Sequence, residues 1–498
     1  MIRQAILPAE LESAVLASVE NCGEVYLVGG AIRDFLLHSE CSDFDFVVKK
    51  NAISEAKRIA DRLHGSFYVL DAERQTGRVL LETRHKPLLI DFATLAGDSL
   101  QADLKARDFT INAIALDVMH PDQLIDPLGG AQDLKEGVLR PCGIESFKND
   151  PVRVVRAVRF MQALGLKLDE AAQAALIEAA PRLREISAER KRDELFHVFE
   201  NKNVKGSCIL FQQFGIWEQV FPSLDLLGSV GLIPPHVHDL TGHTLQVLNY
   251  CEIFLSALKE KSTKADSQFL RSGCELLAGF KDALNNFLAH PIHAQRGYAG
   301  LLYLAVLYHD IGKAMLVQKG VDHETITMTH PEISADHFKI IRDHWALSNE
   351  ESVFIERLIR NHSVQYAINE SSEANTRISL YRFFKCSQSA GVLLAVFHLA
   401  DVLAAYENTL SEQRWNSALK TSEFILDGWF NHYDSIIEPT RLIDGEEIMA
   451  ELALQPGKIV GDILERIREA QVCEQVRTKD DAIRFARAQL ANRSGKEG

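Results

Sequence analysis

Gly29 and Gly30 end the apolar run EVYLVGG, Arg33 follows within AIRDFLLH, and Asp43 and Asp45 stand two apart in SDFDFVV. A glycine turn between strand and helix lets the main chain approach a phosphate, and the open N–H groups of the helix N-terminus face it. An arginine in the first turn can fork that phosphate. Carboxylates on alternate strand residues share one face. Such a pair suits Mg²⁺, a hard ion that takes oxygen ligands and holds phosphates. Two such ions would activate a 3′-hydroxyl and stabilise a departing pyrophosphate. Either half alone is common, as a plain turn or as solvated carboxylates; together at this spacing they point to metal-dependent nucleotidyl transfer.

A second set of residues lies further on. GHTLQVLNY places His243 near the start of a helix, LLYLAVLYHDIGKA places His309 and Asp310 at the end of an apolar helix before a glycine stop, and HLADVLAA places Asp401 on a third helix. The order His, His-Asp, Asp is the HD metal signature. Adjacent helical residues point about 100° apart, close enough to reach one ion. Nitrogen and carboxylate donors suit Mn²⁺, Ni²⁺, Fe²⁺ or Mg²⁺ with open water positions, a site for phosphate ester hydrolysis. The plain alternative is a buried histidine beside a helix-capping aspartate. His330 and His337, seven apart in THPEISADHF, and His362 in RNHSV either complete a second metal position or are capped surface histidines. His398 precedes Asp401 by three and has no role assigned.

These residues need a scaffold of two kinds. Residues 24–48 read as strand, turn, helix and strand; 52–64 is a helix; FYVL, RVLLE and LLIDFAT are further strands. From about residue 150 onward the apolar spacing is helical. The expected fold is α+β: a head at 1–140 with a mixed sheet, a helical neck at 141–230, a helical metal-binding domain at 231–420 and a helical tail at 421–498. PSLDLLGSVGLIPP (222–235) reads as a linker, LKEKSTKADSQ (258–268) as an exposed insertion, and the terminal GKEG as frayed.

The 498 residues suffice for two to four domains. No run of 18 apolar residues is present, so no membrane helix is expected. MIRQAILPAELESAV does not read as a signal peptide. The eight cysteines form no CxxC pair, which fits a reducing cytoplasm. A net charge of −15 argues against a general nucleic-acid binder. Local basic stretches remain, however: Arg140, Lys148, Arg153, Arg156, Arg159 and Lys167, then Arg182, Arg184, Arg190, Lys191 and Arg192. They are either a phosphate-binding face or solvated helix surface.

LVGGAIRD with DFDFVV resembles motif A of class II tRNA nucleotidyltransferases and bacterial poly(A) polymerases, in the polymerase-β superfamily. ARDFTINAIA (106–115), IDPLGGAQDLKEGVLR (125–140), NDPVRVVRAVRF (149–160) and SAERKRDEL (187–195) resemble the later motifs in order. The resemblance spans about 22–200. It implies a polymerase-β-like head in which Gly29, Gly30 and Arg33 contact the nucleotide, and Asp43 and Asp45 bind catalytic Mg²⁺. Arg107, Asp108 and Asn112 would shape the ribose and phosphate site, Arg107 and Asp108 serving catalysis. Asp150 and Arg153, i and i+3 on a helix, would read the base, with Arg156 on the phosphates or the helix frame. Asp91 is either a third carboxylate or a structural strand residue. Cytosine and adenine both set an exocyclic amine beside a ring-nitrogen acceptor, which an Asp and an Arg can read; guanine and uracil would face a buried carboxylate with an oxygen.

The implied substrates are tRNA, CTP and ATP, without a membrane. Two positions depart from the motifs: Ala106 replaces the first arginine of RRD, and Asn149 the first acid of EDxxR. The segment LAGDSLQADLKA is shorter than the flexible loop of full CCA-adding enzymes, which resembles the CC-adding branch. Some tRNA nucleotidyltransferases carry such an HD domain, resembling a phosphatase or phosphodiesterase acting on 2′,3′-cyclic phosphate ends. The competing expectations are a poly(A) polymerase, and an HD phosphohydrolase whose head is only an RNA-binding module.

Overall fold

The computed structural model describes residues 2–83, 87–234, 236–259, 267–293, 296–364, 367–368 and 372–494. Residues 260–266 of the polar stretch, Pro235 of the linker and the GKEG tail lie outside the described residues. The chain forms two compact units, Met1–Asn201 with Ile209–Val220, and Lys202–Cys208 with Phe221–Gly498. The expected head and most of the expected neck fall in the first.

The first unit is built on a seven-stranded sheet ordered β3-β4-β5-β2-β1-β6-β7. Its strands are β1 (Val25–Val28), β2 (Asp43–Val48), β3 (Ser66–Asp71), β4 (Thr76–Leu81), β5 (Leu88–Thr94), β6 (Ala115–Asp117) and β7 (Leu124–Ile125). β2 and β5 run parallel while the other pairs are antiparallel, so the sheet is mixed as expected. β6 and β7, too short for a periodicity signal, and the Ala9–Cys22 helix, whose Leu11 and Val15 join the sheet core, went unread in the sequence. Phe46 and Phe92 stack across β2 and β5 at 5.0 Å, fixing the register under the carboxylates.

The motif 125–140 is a brace. Asp126 accepts hydrogen bonds from the N–H groups of Gly130 (2.8 Å) and Ala131 (2.9 Å), capping the Gly130–Glu136 helix. Asp133 on that helix accepts from Thr110 Oγ1 at 2.6 Å and from Arg140 Nε at 3.2 Å. Past residue 150 the unit is helical, with Asp169 and Ser187 capping the Glu170–Ala179 and Ala188–Glu200 helices.

The second unit is all helical among its described residues. Two of its stretches, Tyr298–Gln318 and Ala390–Thr409, are apolar enough by length and composition to span a membrane, which the sequence reading did not anticipate; they are 83% and 78% buried within the unit. They are its core, and they carry His309, Asp310 and Asp401. The Gly445–Leu452, Lys458–Val472 and Lys479–Ser494 helices close a smaller core around Ile448, Ile463 and Ala482.

Candidate active site and metal centre

In the first unit, β1 ends at Val28, opposite Asp45 of β2, so the turn and the carboxylate are neighbours by register. Gly29 sits at φ +75°, where side chains rarely go, and a Cβ there would lie 3.2 Å from Arg107 Nη1 and 3.4 Å from Asp45 Oδ2. The missing side chain is what brings main chain, carboxylate and guanidinium together. Asp43 is exposed, and Asp45 lies deeper. Burial and the neighbouring charges of Asp43 and Asp91 push the Asp45 carboxyl up to about 7, against the pull of Arg107. Oxygen donors with surplus negative charge are what a hard divalent cation relieves.

Asp91 of β5 stands beside Asp45 of β2 in register, and Arg78 of β4 forks it, at 2.7 Å and 2.6 Å, with both oxygens engaged. Of its two readings, the geometry favours the structural strand residue.

Asp108 also differs from expectation. Its Oδ1 accepts from Phe109 N and Asn112 Nδ2, and its Oδ2 from Arg156 Nε at 2.9 Å. Burial opposes its charge, yet the Arg156 guanidinium and the Asn112 amide hold its carboxyl below the usual range. It is locked in place, a positioning residue with no open oxygen for chemistry. Asn112 Oδ1 in turn accepts from Arg33 Nη1 at 2.8 Å, and Arg156 Nη1 donates to Glu194 Oε1. Arg33, Asn112, Asp108, Arg156 and Glu194 form one polar chain, which puts Arg156 in the frame.

Asp150 and Arg153 do not share a helix. Asp150 ends the Ser146–Asn149 turn in an extended conformation, and Arg153 opens the Arg153–Leu164 helix. The residue before Pro151 is biased away from helix, which breaks the i, i+3 geometry. Asp150 Oδ2 lies 3.9 Å from Arg153 Nε and accepts from Arg190 Nη2 at 2.8 Å. Arg153 donates to the carbonyls of Ala106 (2.9 Å) and Arg107 (3.1 Å) and to Ser146 Oγ (2.6 Å). The sequence reading missed Arg190 as a partner of Asp150. It also missed Phe160, over whose ring Arg33, Arg156 and Arg159 gather at 5.3, 5.6 and 4.8 Å. All lie inside the quoted motifs, and Arg159 follows Arg156 at helical spacing.

Elsewhere the basic stretches are largely paired: Arg140 with Asp133 and Asp169, Lys148 with Glu178, Arg182 with Glu185. Gly29, Gly30, Arg33, Asp43, Asp45, Arg107, Asp108, Asn112, Asp150, Arg153 and Arg156 all line one cavity of about 780 Å³.

In the second unit the structure gathers His243, His309, Asp310, Asp401, His330 and His362. His243 Nε2 lies 3.0 Å from Asp401 Oδ1 and 3.4 Å from His309 Nε2. Asp310 Oδ2 lies 3.4 Å from His309 Nε2, and its Oδ1 3.3 Å from His330 Nε2. His330 and His362 bring their Nε2 atoms to 3.1 Å. The Nδ1 atoms of His309, His330 and His362 bond the carbonyls of Val306, Ile326 and Ile359, which aims each Nε2 into the cluster and, in the neutral rings of His330 and His362, leaves it a bare lone pair. Buried lone pairs facing one another repel, and a cation between them removes the conflict. Burial and the adjacent His309 and His330 hold His362 well below the ordinary histidine range, so a proton does not do that work.

Asp310 presents an oxygen to each side and could bridge two cation positions. His236, unforeseen because it stands in a loop, packs its ring at a tilt against His243, centroids 4.0 Å apart, and receives Lys313 Nζ at 2.8 Å. His337 shares the His323–Ile341 helix with His330 but stays outside these groups. Gly312 does not stop a helix. It lies in the first turn of Ile311–Gln318, where a Cβ would come within 2.4 Å of the His330 carbonyl, so its bareness lets this helix pack against the one that carries His330.

A mixed sheet that carries a carboxylate pair beside a glycine turn, under an arginine-lined cavity, defines a nucleotidyltransferase head. Residues 25–140 match the Poly A polymerase head domain, and 165–227 match the family described as the probable RNA and SrmB-binding site of polymerase A. The chain is 28% identical to a CC-adding tRNA nucleotidyltransferase of Geobacter sulfurreducens, over 98% of this chain and 97% of that protein. It is also 28% identical to an A-adding tRNA nucleotidyltransferase of Deinococcus radiodurans, over 92% and 94%. The fold is shared with a Thermotoga maritima CCA-adding enzyme complexed with tRNA, at 22% identity, TM-score 0.56, and 98% and 97% coverage. Residues 25–140 are thus a head domain of the poly(A) polymerase kind, and along its length the chain is similar to tRNA nucleotidyltransferases.

The raised Asp45 carboxyl makes a pH prediction. Its folded value of about 7 exceeds the ordinary 3.8, so its contribution to stability is present below about 4 and lost as pH rises to 7. A divalent cation needs the ionised form, so Mg²⁺ binding should weaken about fivefold between pH 7 and pH 6. Thermal melting with and without Mg²⁺ is expected to show a larger rise in Tm at pH 8 than at pH 6. Asp45→Asn should abolish that difference.

Proposed function

We propose that this chain transfers nucleotidyl units from CTP or ATP to the 3′ end of tRNA, adding C residues and leaving the final A to another enzyme. The observation that carries the transferase reading is the convergence of the glycine turn, Asp43, Asp45, Arg107, Asp150 and Arg153 on one cavity. Asp43 and Asp45 hold Mg²⁺, which supplies charge neutralisation at the attacking and leaving oxygens. Gly29 and Gly30 admit the triphosphate to the main chain, and Arg33 and Arg107 fork its oxygens. Asp150 Oδ1 is buried without a partner, an acceptor that the exocyclic amine of cytosine or adenine satisfies and the carbonyl of uracil or guanine does not. Arg153 supplies the donor to the ring nitrogen.

The C-only reading is favoured by the segment before Arg107. It forms a short helix, Leu100–Ala106, capped by Ser99 and tied back by Asp103 to Ala96 N at 2.9 Å, rather than a long loop. A CC-adding relative over 98% of this chain supports it, and an A-adding relative is as identical over 92%. The test uses tRNAs ending at the discriminator base, at C and at CC, with labelled CTP or ATP, resolved to single nucleotides. We expect efficient C addition to the first two and poor A addition to the third. Efficient A addition would restore the full CCA reading, and long A tails would favour a poly(A) polymerase.

We further propose that the second unit is a metal-dependent phosphohydrolase of HD type, acting on 3′ ends that carry a phosphate such as the 2′,3′-cyclic form. His243, His309, Asp310 and Asp401 hold one cation, and Asp310, His330 and His362 a second; Mn²⁺, Ni²⁺ or Mg²⁺ there supplies Lewis acidity at the phosphate. Lys313, 2.8 Å from Asp310, adds a cation for the ester oxygens. All eight cysteines are free, in keeping with a cytoplasmic setting.

A further inference from the structure

Beside the histidine cluster lies a cavity of about 730 Å³, to which Lys313, His330, His362 and Asp401 contribute. It is larger than a phosphate needs and lies within the range of pockets that enclose small organic ligands. Three of its wall residues outside the cluster are His398, Tyr406 and Arg414. His398 lies one helical turn before Asp401 on the Ala390–Tyr406 helix; it is 2% exposed, and its Nδ1 has no hydrogen-bond partner. Burial pushes it down to about 4, so it is neutral and offers an unmatched ring nitrogen to whatever fills the cavity. Tyr406 lies five residues beyond Asp401, about 7.5 Å along the same helix. Arg414 packs its guanidinium 4.1 Å from the centre of the Tyr406 ring. A guanidinium laid flat on an aromatic ring is a platform on which a nucleobase stacks.

We propose that this cavity selects nucleosides: the phosphate of a terminal nucleotide meets the cluster, His398 hydrogen-bonds its sugar, and its base stacks on the Arg414–Tyr406 platform. The proposal rests on the phosphohydrolase reading above and names the residues that confer its preference. Asp401, His398, Tyr406 and Arg414 all line this one cavity, so a ligand seated in it can reach the recognition residues and the metal position together. An unmatched buried nitrogen is costly unless a ligand meets it.

The test measures binding as well as turnover. Calorimetry of the full chain with Mn²⁺ compares adenosine 2′-monophosphate with inorganic phosphate, in the parent and in Arg414→Gln, His398→Leu and Asp150→Ala. Turnover compares adenosine 2′,3′-cyclic phosphate with p-nitrophenyl phosphate. In the parent, the nucleotide should bind at least tenfold more tightly than phosphate. Arg414→Gln, at an exposed position, should erase most of that preference and raise KM for the cyclic nucleotide while leaving p-nitrophenyl phosphate unchanged. His398→Leu should act in the same direction where melting shows it folded. Asp150→Ala, in the head, should leave the preference intact. Equal binding of nucleotide and phosphate by the parent, or an undiminished preference in Arg414→Gln, overturns the inference while Mn²⁺ binding and phosphoester hydrolysis keep the phosphohydrolase reading. Failure of the parent to bind Mn²⁺ or to hydrolyse either ester overturns both.

Discussion

Replacing Asp45 by alanine is expected to reduce nucleotide addition by more than a hundredfold while leaving the fold intact, and Asp43→Ala should do the same. Asp45 sits where the sheet register, the turn at Gly29 and the Arg107 guanidinium meet, and it is the carboxylate on which local negative charge accumulates. Removing it relieves an electrostatic burden on the free protein, so Tm should hold or rise. The cost falls on the transition state, where ions held by the pair would neutralise developing charge. The measurement is single-turnover CTP incorporation beside thermal melting. Near-normal addition by either folded variant would remove this pair from the mechanism.

The second large effect concerns the other unit. His309→Ala combined with Asp310→Ala should eliminate phosphoester hydrolysis supported by Ni²⁺, Mn²⁺ or Mg²⁺, and leave CTP incorporation largely unchanged. The two ligand sets lie in different compact units, and sites that share no partner act nearly independently. Both residues are fully buried. Removing Asp310 also strands Lys313 and His330, so melting must accompany the assay. Loss of nucleotide addition in a folded double variant would show the two activities to be coupled.

The sites were legible in the sequence to different depths. Strand alternation placed Asp43 and Asp45 correctly because a period of two is a local property. The HD order likewise singled out His243, His309, Asp310 and Asp401, and left His330 and His362 as an open alternative that the structure brings into the cluster. What the sequence could not show were partners made by tertiary packing. Arg78 reaches Asp91 only because β4 pairs with β5. Asp108 is locked by an arginine 48 positions away. Asp150 and Arg153 looked like one helical face, yet the proline between them separates turn from helix. His236 gives no periodic signal because it stands outside any helix.

The polar chain from Arg33 through Asn112, Asp108 and Arg156 to Glu194 has an evolutionary corollary. Arg156 is the counter-charge of the buried Asp108 and also pairs with Glu194. Replacing Arg156 alone leaves Asp108 uncompensated, at a cost of about 3–5 kcal/mol, comparable to a large part of a domain's whole stability, whereas Arg156 without Asp108 keeps Glu194. Exchange of both for a neutral, well-packed pair avoids that cost. Among descendants of this chain Arg156 should therefore change only where Asp108 has changed too, and that one-sided dependence would trace the frame as plainly as the distances do.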